Sequence, residues 1–226
     1  MTGMRTPPTI AILHTSPATI EPFTGLLRER LPGARLLNLL DDSILPELRD
    51  NGGDVAAVTS RWTTYATIAR DQGADVILNA CSSIGELCEP VSREVGVRIV
   101  RVDEALARKA VTSGTRIAVV ATLRSTLRPT ADLLVATAAA MGRSATIDAM
   151  LVEGAYEALI AGDRALHDDR VVAALRAAAG SADVVVLAQA SMARVLPRLS
   201  PEEHAKCITS PALAADEVAR IVREAS

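Results

Sequence analysis

Aromatic residues are almost absent from this chain: one Trp, one Phe and two Tyr among 226 residues, or 2%. Stacking platforms for nucleic-acid bases are therefore poorly supplied. A basic field is missing too. The net charge is -3, so neither a phosphate backbone nor an anionic membrane meets an attractive surface, and no nucleic-acid or membrane partner is expected. Long apolar runs are lacking. The longest, such as Ile117 to Ala121 and Val184 to Ala188, are far too short to span a bilayer. Residues 1–9 hold no export-signal apolar stretch, because Pro7 and Pro8 interrupt them. Cysteine is scarce as well. Cys81, Cys88 and Cys207 are odd in number and form no CxxC pair. That spacing argues against a structural disulfide or a zinc site, and for a reducing, cytoplasmic setting.

Hydrophobic residues make up 49% of the chain and charged residues 23%. This is enough apolar side chain for a real core and too little charge imbalance for disorder. The chain also repeats itself. Ala74-Asp75-Val76-Ile77-Leu78-Asn79-Ala80-Cys81 matches Ala182-Asp183-Val184-Val185-Val186-Leu187-Ala188-Gln189, placing position 81 against 189, an offset of 108. Thr9-Ile10-Ala11-Ile12-Leu13-His14-Thr15 matches Arg116-Ile117-Ala118-Val119-Val120-Ala121-Thr122, placing 15 against 122, an offset of 107. Two matches at nearly one offset imply two copies of one unit.

Each copy reads as alternating strands and helices. Short continuous apolar runs mark parallel strands covered on both faces: Thr9–Leu13, Arg35–Leu39, Val76–Leu78 and Arg98–Val102, then Arg116–Val120, Ala145–Ala149, Val184–Leu187 and Lys206–Ile208. Ser16-Pro17 caps a helix that Leu31-Pro32-Gly33 ends. Helices are also expected over Asp54 to Gln72, Pro129 to Met141, and Asp168 to Ala179, with a glycine turn before the third strand of each copy. His167 reads as a helix start and His204 as part of a polar loop. The expected fold is α/β: two units related by a pseudo-twofold axis, each with a mainly parallel sheet flanked by helices. The units are expected at 1–105 and 106–209, with a terminal helix over 210–226 packing on the first.

Ligands of parallel sheets bind beyond the carboxyl ends of the strands. That rule selects His14–Pro17, Asn79–Gly85, Thr122–Thr126 and Gln189–Met192, which two symmetric copies would turn toward one cleft. Asn79, Cys81, Ser82 and Ser83 sit at a strand end before a helix, where a thiol feels the helix N-terminus and thiolate is favoured. Ser82, Ser83 and free N–H groups there can hold a carboxylate or enolate oxygen. By position alone Cys81 is either such a thiol or a small buried hydrophobe. Thr122, Ser125 and Thr126 either form a carboxylate nest or cap a helix. Thr15 is the repeat-related residue of Thr122. His14 either acts on the substrate or Cys81, or bonds a local backbone group. Gln189 and Ser191 either bind substrate oxygens or satisfy their own backbone. Cys88 and Cys207 read as core, and Arg61 and Trp62 as a packed or exposed helix face.

ILNACSSIGE, RIAVVATLRSTLRPT and VVVLAQASMA together resemble the aspartate/glutamate/hydantoin racemase superfamily, over roughly Thr9 to Ile221. The resemblance implies a cysteine after the third strand of each half, one for each face of a carbon next to a carboxyl or carbonyl. It implies a small carboxylate substrate and no metal, pyridoxal or other cofactor. It leaves a homo-oligomer open. It makes Cys81 the catalytic thiol and gives the substrate carboxylate to the loop of Thr122, Ser125 and Thr126. Gln189 stands where the second thiol belongs, and a primary amide takes up no proton near neutral pH. The expected function is a cofactor-independent, racemase-like isomerase working through Cys81 and Gln189. The alternatives are a one-thiol decarboxylase and a non-catalytic small-acid binding protein.

Overall fold

The computed structural model describes residues 7–225. The N-terminal stretch read above for an export signal therefore lies largely outside the described residues, as does the last residue of the expected terminal helix. In chain order the first half runs β1 (Thr9–His14), a 3₁₀ turn (Pro17–Thr19), α1 (Ile20–Arg30), β2 (Arg35–Leu40), α2 (Ile44–Asp50), α3 (Ala56–Asp71), β3 (Val76–Asn79), a 3₁₀ segment (Ser82–Leu87), α4 (Cys88–Val95), β4 (Arg98–Arg101) and α5 (Glu104–Ser113). The second half runs β5 (Arg116–Ala121), α6 (Arg124–Ala140), β6 (Thr146–Leu151), α7 (Ala155–Ile160), α8 (Arg164–Ser181), β7 (Val184–Leu187), a 3₁₀ segment (Ala190–Arg198), α9 (Pro201–Lys206), β8 (Cys207–Ile208) and α10 (Ser210–Glu224).

The strands form two four-stranded sheets, β2-β1-β3-β4 and β6-β5-β7-β8, with every pairing parallel. The two orders are the same, as the repeat requires. In the central strands β1, β3 and β7 every residue is buried, and in β5 every residue after Arg116. Helices cover both faces of each sheet, so these strands are continuously apolar rather than alternating. The repeated aspartate has a structural task. Asp75 Oδ2 accepts the Thr9 N–H at 2.7 Å, and Asp183 Oδ2 accepts the Arg116 N–H at 2.9 Å. Each carboxylate thus staples the start of the third strand to the start of the first.

The two halves exchange their last helices. Leu106, Ala107, Ala110 and Val111 of α5 pack with Ile117, Val119 and Leu134 in the second half. Ala214, Ala215 and Val218 of α10 pack with Ile10, Ile12 and Phe23 in the first.

Several local expectations change. Helix α6 starts at Arg124, with Pro129 inside it. Pro129 is the sixth residue of the helix, past the four N–H groups that lack helical partners, so it removes the one hydrogen bond that would have reached the Ser125 carbonyl. Helix α8 starts at Arg164, and Asp163 caps it by accepting the Leu166 N–H at 3.0 Å. His167 lies within its first turns, and Gly180 lies inside it, so the second copy has no glycine turn. His204 belongs to α9, which Ser200 and Glu203 open with a capping box. Helices α2 and α7 were not expected at all; each is under two turns or close to it, too short to show a helical period.

Candidate functional site

The carboxyl ends of both sheets enclose one cavity of about 110 Å³. The loop after β1 contributes Thr15, Ser16 and Thr19; the loop after β3 contributes Ala80 to Ser83. From the second half come Leu123 and Thr126 after β5, and Ala188 to Ser191 at the end of β7. Leu45 of α2, with Tyr156 and Leu159 of α7, closes the wall, and Val102 and Ser210 complete it. All four strand-end segments picked out by the sheet rule therefore reach one cavity.

Cys81 is on this wall although only 6% of its surface is exposed. Asn79 holds its backbone: the Cys81 N–H donates to Asn79 Oδ1 at 3.2 Å, and Asn79 Nδ2 donates to the Cys81 carbonyl at 3.0 Å. The same Nδ2 reaches Cys88 Sγ at 3.1 Å. Burial pushes the Cys81 thiol above its ordinary value. The Thr15 hydroxyl, the N–H groups of Ser83 and Ile84, and the Ser83 hydroxyl all pull it down, by smaller amounts. The expectation of a resting thiolate therefore changes. Helix-end donors do surround the sulfur, but loss of water outweighs them, and the resting group is a thiol.

Gln189 lies on the second half's wall of the same cavity. Its Oε1 accepts the Thr122 N–H at 2.7 Å and the Thr122 hydroxyl at 2.9 Å. That leaves Nε2 as the open end of the amide, a donor only. Those bonds lie within the second half; the halves themselves are joined at the site by the Ser83 and Thr126 hydroxyls, 2.8 Å apart. Ser82 and Ser191 also line the cavity.

Four residues expected to meet substrate do not line it. His14 is fully buried, with Nδ1 at 2.7 Å from Thr19 Oγ1 and Nε2 at 2.9 Å from Asn38 Oδ1. Its burial lowers its pKa, which keeps the ring neutral, and its local partners are side chains rather than backbone. Asn79 is the backbone clamp described above. Thr122 stands behind Gln189 and spends its N–H and hydroxyl on that amide. Ser125 lies against the Gly53 turn, with its Oγ buried and without a partner among the described residues. Conversely, Thr19, Leu45, Tyr156 and Leu159 were missed. Tyr156 is one of only two tyrosines, and that scarcity was the one available signal. The remaining thiols stay off this wall. Burial raises Cys88 to about 12 and Cys207 to about 11. Arg61 pairs with Asp41 at 3.1 Å and with Glu47 at 2.5 Å, and Trp62 is core.

Two like α/β units that close one cysteine-bearing cavity between the carboxyl ends of their sheets define the class of protein. The family model described as Asp/Glu/Hydantoin racemase matches residues 12–218. The chain belongs to that family. Among solved structures, a glutamate racemase isoform from Bacillus anthracis superposes with a TM-score of 0.78 at 14% identity, covering 98% of this chain and 84% of that one. Allantoin racemase from Klebsiella pneumoniae gives 0.70 at 18% identity, covering 96% and 89%. Aspartate racemase from Picrophilus torridus gives 0.68 at 14% identity, covering 94% of each. No curated protein matches the chain. Among the described residues no helix is long and apolar enough to cross a membrane.

Proposed function

We propose that the chain is a cofactor-independent isomerase of the racemase kind, which moves a proton at the carbon next to the carboxyl of a small acid through Cys81. The observation that carries this reading is the pairing on one cavity of a buried thiol with an amide whose only acceptor is already used. The resting thiol favours the donating half of the reaction. The S–H bond breaks and its electron pair stays on sulfur. The electron pair of a substrate enediolate, left when the α C–H bond breaks and its proton passes to solvent, forms the new C–H bond. The oxyanion is held by Gln189 Nε2 and the hydroxyls of Ser82 and Ser191. Regenerating the thiol takes one proton from the solvent or the next substrate.

Gln189 cannot serve the opposite face. Tyr156 is the other proton-bearing side chain on the wall whose chemistry reaches acid/base work. A second reading therefore has a specific basis: loss of carbon dioxide also generates an enediolate, and then Cys81 alone suffices. The test follows small carboxylic acids, malonates included, in D₂O by NMR and chiral chromatography. The expected result is deuterium entry at the α-carbon that falls by about 10²–10⁴-fold in Cys81→Ser. Carbon dioxide release with the same dependence selects the second reading. Turnover that Cys81→Ser leaves at the wild-type rate refutes both.

A further inference from the structure

The cavity wall carries no charge. Among the described residues lining it, every polar side chain is a serine, threonine, glutamine, tyrosine or the Cys81 thiol. Several charged side chains leave the same strand ends and pair elsewhere. Asp41, after β2, meets Arg61 and accepts the Tyr65 hydroxyl at 2.9 Å. Asp103, after β4, meets Arg101 Nε at 2.6 Å. Arg124 and Glu153, after β5 and β6, meet each other at 3.0 Å.

One group on the neutral wall is committed to donating. The amide oxygen of Gln189 is consumed by Thr122, so its free end can only donate. The Thr19 hydroxyl is already engaged, 2.9 Å from the Ser16 carbonyl and 2.7 Å from His14 Nδ1. An anion can be held by neutral N–H and O–H donors alone. An ammonium placed here finds no carboxylate, so only hydroxyl oxygens can stand in for its water shell and its charge stays unpaired. The rest of the wall, Leu45, Leu123, Tyr156 and Leu159, offers apolar surface to whatever the reacting carbon carries.

Building on the function proposed above, we propose that the substrate is a carboxylic acid without an amino group, carrying a compact apolar substituent, rather than a free amino acid. The carboxylate sits on the donors, and the substituent faces Leu45, Tyr156 and Leu159.

Two near-isosteric probes isolate the point: 2-methylbutyrate and 2-aminobutyrate differ by a methyl in place of an ammonium. Each is used, alongside aspartate, to protect Cys81 in the full chain from iodoacetamide at alkaline pH, with the Cys81 peptide quantified by mass spectrometry. The expected result is protection by 2-methylbutyrate at a concentration at least about tenfold below that needed for 2-aminobutyrate or aspartate. Leu159→Asp, which adds a carboxylate to the wall without touching the Thr122–Gln189 pair, is expected to narrow or reverse that ratio. Equal or better protection by 2-aminobutyrate or aspartate in the wild type overturns this inference and leaves the proposed function standing. A ratio that Leu159→Asp does not move also overturns it. Protection by none of the three removes the acid-binding cavity itself, and the proposed function fails with it.

Discussion

Replacing Asn79 with alanine tests the placement of the thiol most directly. Asn79 is fully buried, and its amide satisfies both the N–H and the carbonyl of Cys81. Truncation leaves two backbone groups unpaired in a buried region. Each such group costs about 1–3 kcal/mol. The N–H bond is long at 3.2 Å, so its loss falls at the low end, and the pair together costs about 3 kcal/mol. For a chain of this size 1 kcal/mol moves Tm by about 2–4 °C. Asn79→Ala is therefore expected to melt about 6–12 °C below wild type. The cost should go with a displaced Cys81, read as a changed iodoacetamide rate at the Cys81 peptide. Cys88→Ala is the control. It removes the sulfur that the same Nδ2 reaches but leaves the Cys81 clamp whole, so its labelling at Cys81 should stay at the wild-type rate. A Tm loss under about 2 °C with unchanged Cys81 labelling would refute the clamp.

Four further expectations follow from the same geometry. Thr15→Val removes a hydroxyl that favours the Cys81 thiolate, so the pH at which Cys81 alkylates should rise and its rate at any fixed pH below that should fall; an unchanged pH–rate profile sinks the assignment. Gln189→Cys restores a second proton-transfer group, and its mixture of enantiomers should interconvert faster than the wild type's by chiral chromatography, while Tyr156→Phe should slow any interconversion the wild type shows. Cys88 is raised from 9.0 to about 12, so the folded state binds its proton more tightly than the unfolded chain. Its contribution to stability is complete below pH 9 and is lost as pH climbs toward 12; urea midpoints measured across that window should fall more steeply in wild type than in Cys88→Ala.

The repeat, the parallel strands and the position of Cys81 at a strand end were all legible in the chain itself. They rest on local signals: continuous apolar runs, a duplicated Ala-Asp-Val, and the rule that parallel sheets bind ligands at their carboxyl ends. That Gln189 takes the repeat position of Cys81 followed from the offset by arithmetic, and both line the one cavity. The tertiary structure decided what each strand-end side chain does there. His14 has the right position, yet Thr19 and Asn38 hold its ring away from the cavity wall. Asn79 and Thr122 are hydrogen-bonded to Cys81 and Gln189 and do not line the cavity. Helices α2 and α7 carry no periodic signal of their own, and the residues they bring, Leu45, Tyr156 and Leu159, become cavity wall only when the two halves meet. The protonation of Cys81 was settled the same way. A helix-end thiol reads as a thiolate when only its neighbours in sequence are counted, but burial is a sum over the whole fold, and here it outweighs the local donors.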